Sequence, residues 1–151
     1  MRVLARRLAI STVAVAVAVA TFGSPAQAAT NPFTAAQACN NDFGGSWAYT
    51  TDGHRTIYSG STKVGDVYLM YNGATGDNCV ATLKAVAIGS MTGVAARLRV
   101  EGESWVEQSG SYKYYAAKRR SAVDACVMYA GEILYGTSWA SNGRYSWGNC
   151  G

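Results

Sequence analysis

Residues able to do chemistry are few in this 151-residue sequence, and they are dispersed. There is one histidine, His54, with nine carboxylates and four cysteines. A catalytic imidazole needs a nucleophile on one side and an orienting acid on the other. His54 follows Asp52-Gly53, a turn signal, and no serine stands in a G-x-S-x-G elbow. The expectation is a surface histidine in a turn. The carboxylates are Asp42, Asp52, Asp66, Asp77, Glu101, Glu103, Glu107, Asp124 and Glu132. A glycosidase needs two of them across a cleft. Asp66 with Glu101 is one such combination, but no spacing selects it, and Glu101 and Glu103 alternate as a solvated row would. Metalloprotease, nucleotide-loop and EF-hand patterns are absent. These residues point away from an enzyme and imply no cofactor.

The cysteines are Cys39, Cys79, Cys126 and Cys150. No two fall within a C-x₂₋₄-C spacing, so neither a zinc site nor a redox pair is indicated, and no metal is expected. An even count in an exported chain reads as two disulfides. Of three possible pairings, Cys39–Cys79 with Cys126–Cys150 closes the shorter loops and is favoured, although spacing alone does not select it.

Aromatic side chains offer the better chemistry, because flat amphipathic rings are suited to interfaces. Trp105, Trp139, Tyr145 and Trp147 stand in polar, turn-rich sequence and are the candidate binding residues. The expected partner is a protein or a cell-envelope glycan.

The N-terminus reads as an export leader. Arg2, Arg6 and Arg7 precede an apolar run from Leu8 to Phe22, and Ala26-Gln27-Ala28 supplies a cleavage site. The run is too short to span a bilayer, which takes about 20 residues. Residues 1–28 are therefore read as a signal peptide, and no stable membrane insertion is expected after cleavage. Cleavage would leave ten basic against nine acidic residues, a net charge near +1. A concentrated positive footprint is then missing, and no nucleic-acid partner is expected. Lys118-Arg119-Arg120 is the remaining basic cluster and reads as a solvated loop.

Residues 29–38 read as a short linker or N-terminal helix, and residues 39–151 as a single β domain. Irregular backbone is expected around Cys39. Trp47–Thr50 and Arg55–Ser59 read as two short strands separated by a turn at Asp52-Gly53. Lys63–Tyr71 and Asn78–Ile88 form the strongest hairpin signal, with Asn72-Gly73 and Gly76 between them. Both faces of this hairpin carry apolar residues, which places it centrally with cover on both sides. Val94–Gly102 alternates cleanly: Ala96, Leu98 and Val100 face one way, Arg97, Arg99 and Glu101 the other. That polar row should face solvent, with cross-strand charge pairing. Gly102–Gly110 reads as a long loop or edge strand, Ser111–Ala117 as an aromatic strand, and Lys118–Asp124 as a connection. Cys126–Ala130 is β-like, Gly131–Gly143 turn-rich, and Arg144–Gly151 a last strand. A faint echo links Tyr68–Tyr71 and Cys79-Val80 with Tyr112–Tyr115 and Cys126-Val127; two related hairpins or chance would produce it. Together these describe an all-β fold, a small disulfide-tied β-sandwich, with a barrel as the alternative.

Several of these pieces also carry a likeness. Tyr71-Asn72, Thr75-Gly76-Asp77-Asn78-Cys79-Val80, Val100-Glu101-Gly102, Tyr114-Tyr115-Ala116, Cys126-Val127 and the Cys150-Gly151 end occur in one order. In that order the chain resembles the spore-associated protein A family of secreted actinobacterial proteins. The likeness runs from Cys39 onward and carries over no catalytic residue. Ala117–Arg120 and Met128-Tyr129 depart from the common form, which would alter specificity if that region binds. The resemblance implies a secreted, non-enzymatic envelope or spore-associated protein, retained at the spore or cell surface and acting by adhesion or assembly. The competing readings are a secreted protease-inhibitor or toxin-like module, with Gly102–Gly110 or Gly131–Gly143 as its loop, and then a glycan-binding domain.

Overall fold

Alternating apolar residues build two sheets in the computed structural model, which describes residues 29–151. The export segment lies outside the described residues. The first sheet has strand order β1-β2-β3-β6, from β1 (Ala48–Ser59), β2 (Thr62–Asn72), β3 (Asp77–Lys84) and β6 (Tyr115–Ser121). The second has order β5-β4-β7-β8, from β4 (Thr92–Val100), β5 (Val106–Tyr112), β7 (Val127–Tyr135) and β8 (Ser138–Gly148). Every pairing is antiparallel. The two sheets are separate four-stranded layers and do not close into a barrel, so the architecture is the sandwich.

The sandwich core is drawn from alternate positions of facing strands. Ile57, Val67, Leu69 and Val80 from the first sheet meet Val94, Leu98, Val127, Tyr129 and Ile133 from the second. Two glycines let the layers approach. A Cβ at Gly65 would lie 2.1 Å from Ile133 Cδ1, and one at Gly131 2.7 Å from Val67 Cβ. Thr82 adds a polar tie, its hydroxyl donating to the Ala95 carbonyl at 2.8 Å.

The other side of the β2–β3 hairpin is covered by a helix, α1 (Ala35–Phe43). Thr34 caps it reciprocally with Gln37, and Gly44, at φ 70°, ends it. Ala35, Ala38 and Cys39 pack on Met70, Cys79, Ala81 and Ala117. The hairpin thus has the two-sided cover that its apolar residues require. The helix runs through Cys39, where irregular backbone was expected, because the capping box starts it at Ala35 and a buried face holds it to Phe43. Disulfides join Cys39 to Cys79 and Cys126 to Cys150, the sequential pairing.

Other boundaries differ from the sequence reading. Asp52-Gly53 does not reverse the chain. The β1–β2 register shifts between Tyr49 and His54, so Thr50 to Gly53 form a bulge inside one long strand. The aromatic stretch Ser111–Ala117 is not one strand either. Tyr112 ends β5 in one sheet and Tyr115 begins β6 in the other, with the crossing at Lys113-Tyr114. Lys118-Arg119-Arg120 lies in β6, paired with Val80, Cys79 and Asn78, rather than in a loop. Gly131–Gly143 is mostly the paired strands β7 and β8, reversing at Gly136 (φ 61°). Because β6 and β7 belong to different sheets, the echo around Cys126 is not a second hairpin.

Candidate functional site

The outer face of the second sheet carries all four aromatic residues selected from the sequence. Its axis is β4, whose inner residues Val94, Ala96, Leu98 and Val100 are buried, leaving Gly93, Arg97 and Arg99 outward. Leu98 pairs with Val106, which sets Trp105 beside the Arg99 end of β4. From the far edge, Tyr145 on β8 reaches the same end: its ring centroid lies 6.2 Å from that of Trp105. Arg99 lies over the Trp147 ring at 5.4 Å, a cation–π contact. A break in the β7–β8 register between Val127 and Tyr129 gives β8 extra residues here, and those are the residues carrying Tyr145 and Trp147. Trp139 marks the opposite end. It pairs with Leu134, and its six-membered ring covers Gly93, where a Cβ would stand 2.7 Å away.

Burial separates these rings from the fourth tryptophan. Trp105, Trp139, Tyr145 and Trp147 are 36%, 49%, 59% and 38% exposed, whereas Trp47 is 8% exposed beneath α1. Between the two aromatic ends lies an ionic centre. Arg97 donates to Glu107 at 2.8 Å on β5 and to Glu132 at 2.7 Å on β7. The hydrogen bond to Glu107 raises the Arg97 pKa, burial opposes it, and the neighbouring Glu132, Glu107 and Tyr145 add to the rise. Arg99 donates to the Glu103 carbonyl at 2.9 Å, and the Glu103 carboxylate is taken by Arg120 at 2.7 Å. The outward row Arg97 and Arg99 was readable as alternation in β4. Its partners Glu107 and Glu132 were not identifiable, because their selection depends on the register of two other strands.

The first sheet presents a different cluster. His54 is not in a turn; it lies on β1 opposite Tyr68 and stacks on that ring at 4.4 Å. Its Nε2 meets Asp66 Oδ1 at 2.8 Å, and Thr56 and Lys63 bind the same carboxylate at 3.0 and 2.7 Å. Asp66 and Glu101 do not flank a cleft, since Asp66 faces out from the first sheet and Glu101 follows β4 in the second. Burial works to raise the Asp66 pKa, but hydrogen bonds from Lys63, His54 and Thr56 outweigh it and hold the carboxyl below its ordinary value. A depressed carboxyl stabilises the fold above its unfolded pKa of about 3.9, and that contribution is lost as pH falls through the folded value. Asp66→Asn is therefore expected to be less stable than the unmodified chain near neutrality, with the difference shrinking below about pH 4. Urea midpoints measured across pH check this; a difference independent of pH would refute it.

A groove of about 550 Å³ between α1, β5 and β6 is lined by Phe33, Phe43, Tyr112, Tyr114 and Tyr115. Three of its rings engage one another, and Phe43 lies under Arg119. Phe33 meets Tyr114 and Tyr115 edge-on, each at 5.3 Å, and the Tyr115 hydroxyl donates to Asp42 at 3.0 Å. The cysteines are all consumed in disulfides and serve structure.

Among known proteins, the chain is similar to spore-associated protein A of Streptomyces coelicolor, with 37% identity over 92 residues. That match covers 58% of this chain and 58% of the relative, so the chain spans well under two thirds of the curated relative it matches. No family model matches. No solved structure matches.

Proposed function

We propose that this chain is an exported, non-enzymatic protein of the spore or cell envelope that adheres through the outer face of β5-β4-β7-β8. One observation carries the reading: Trp105, Tyr145 and Trp147 converge from opposite edges of one sheet and remain exposed. Exposed rings held on paired strands lose little conformational entropy when they are covered, which favours a built contact surface. The similarity to a protein named as spore-associated supports the envelope as the setting. Two disulfides suit an oxidising, extracellular environment. The inhibitor reading loses ground because it needs a projecting loop: Gly131–Gly143 is mostly paired strand, and in Gly102–Gly110 only Gly102–Trp105 is unpaired.

The test is fractionation of the producing cells and spores with the full chain tagged. The unmodified protein is expected in the envelope or spore fraction. A Trp105→Ala, Tyr145→Ala, Trp147→Ala variant should be retained about tenfold less or worse, since truncating a single aromatic hot-spot contact costs more than about 1 kcal/mol. Recovery of both proteins in the medium, or equal retention of the two, would remove the reading.

A further inference from the structure

We propose that the partner of this face is an uncharged polysaccharide chain lying along β4, in contact with the aromatic groups at both ends. The proposal rests on the adhesive reading above and names its ligand class. Three features of the face support it.

The first is order. Protein interfaces concentrate apolar anchors at the centre and place charge at the rim. Here the arrangement is inverted: the Arg97–Glu107–Glu132 cluster is central, and the rings stand at the ends. A sugar chain suits that inversion, because each unit offers a C–H face to an aromatic ring and hydroxyls to a guanidinium or carboxylate. The second is length. Gly93 under Trp139 and Arg99 beside Trp147 are six positions apart on one strand, about 20 Å at the rise of a β-strand. That separation is the reach of a short oligosaccharide, and a single sugar cannot touch both ends.

The third is charge. Arg97 is paired with both Glu107 and Glu132, Arg99 makes no ion pair among the described residues, and Glu103 is paired with Arg120, so two of the three arginines are already neutralised. Glu101, just beyond β4, has no ion-pair partner among the described residues and adds one carboxylate. The face therefore has no cationic excess to attract an acidic polymer. Its donors and acceptors are mixed, as sugar hydroxyls require, since each hydroxyl both donates and accepts.

Tryptophan fluorescence and calorimetry with the full chain would test this, using a neutral β-glucan and a chitin-derived oligosaccharide series from dimer to hexamer, with polygalacturonate and polyglutamate as charged polymers. Binding to the glucan or to the chitin-derived series is expected, with the longest ligand at least about tenfold tighter than the dimer and little change when salt is raised. Trp139→Ala should weaken the hexamer by more than it weakens the dimer, so that the advantage of the long ligand shrinks. Arg97→Gln should weaken both. Equal affinity for dimer and hexamer, a Trp139→Ala effect of the same size on both, or tighter binding to either charged polymer would overturn the proposal. Retention in the envelope fraction without affinity for any of the neutral ligands would also overturn it, yet leave the adhesive role standing. Loss of that retention would sink the role itself.

Discussion

Lys84→Met is expected to lower the melting temperature by about 10 °C or more, the consequence of roughly 3 kcal/mol of lost stability. Lys84 is 1% exposed at the inner end of β3, and its ammonium donates to three carbonyls: Ala87 at 2.9 Å, Ser90 at 2.7 Å and Tyr112 at 3.1 Å. Burial lowers its pKa, and the three acceptors offset the cost of holding a cation there. Two of those carbonyls belong to the connection between β3 and β4, and the third is the last residue of β5. The same junction is closed by backbone bonds from Lys84 to Tyr114 and from Gly89 to Lys113. Asn31 adds bonds to the Lys84 and Tyr114 carbonyls at 3.0 and 2.8 Å. Methionine would fill the space and donate nothing, so the three charge-assisted bonds that tie the β3–β4 connection to β5 would be lost. Lys84→Arg keeps the charge but brings a rigid planar fork into a site shaped for an ammonium, so its loss should be intermediate. Thermal unfolding of the three proteins decides the matter: a methionine variant melting within about 2 °C of the unmodified chain would show that the junction is held by packing instead.

Removing the Cys39–Cys79 bridge as the Cys39→Ser, Cys79→Ser pair should cost about 4 kcal/mol in the loop-entropy account, given the separation of 40 residues. The bridge of 24 residues between Cys126 and Cys150 should cost about 3.5 kcal/mol on the same basis. The location of the loss differs more than its size. A helix of nine residues is too short to persist alone, so α1 depends on its contacts and on the covalent tie to β3. Without the tie, the amides of Ala35–Phe43 are expected to exchange with solvent first, exposing Met70 and Ala81 on the back of the hairpin. The second bridge joins the start of β7 to the C-terminus, and its removal should fray β8 beside Trp147 while α1 stays protected. Hydrogen exchange on the Cys39→Ser, Cys79→Ser and the Cys126→Ser, Cys150→Ser variants, with urea midpoints, measures the two effects. Uniform loss of protection across both sheets in the first variant would contradict a local role.

The features legible in advance were local. Alternation in β4 displayed its buried and charged rows, and the two apolar faces of the β2–β3 hairpin announced cover on both sides. Polar neighbours marked Trp105, Trp139, Tyr145 and Trp147 as candidates, but that all four lie outside the core was decided by the structure. Failures came where the chain changes partners without changing composition. Tyr112-Lys113-Tyr114-Tyr115 contains neither glycine nor proline, so nothing in it marks the passage between sheets; Lys84 and Asn31, distant in sequence, enforce that passage. Asp52-Gly53 looks like a reversal by residue type, yet the pairing of the flanking segments with one and the same strand, β2, turns it into a bulge.

The sequence by itself therefore determined an all-β chain, its hairpin and its charged row. Each follows from side-chain polarity read at a period of two. Tertiary structure alone decided that Trp105, Tyr145 and Trp147 share one end of a face, that Trp139 occupies the other, and that Arg97 holds Glu107 and Glu132 between them. Those relations depend on sheet order and register, which are fixed by contacts among strands far apart in the chain, and side-chain type at a single position does not encode them.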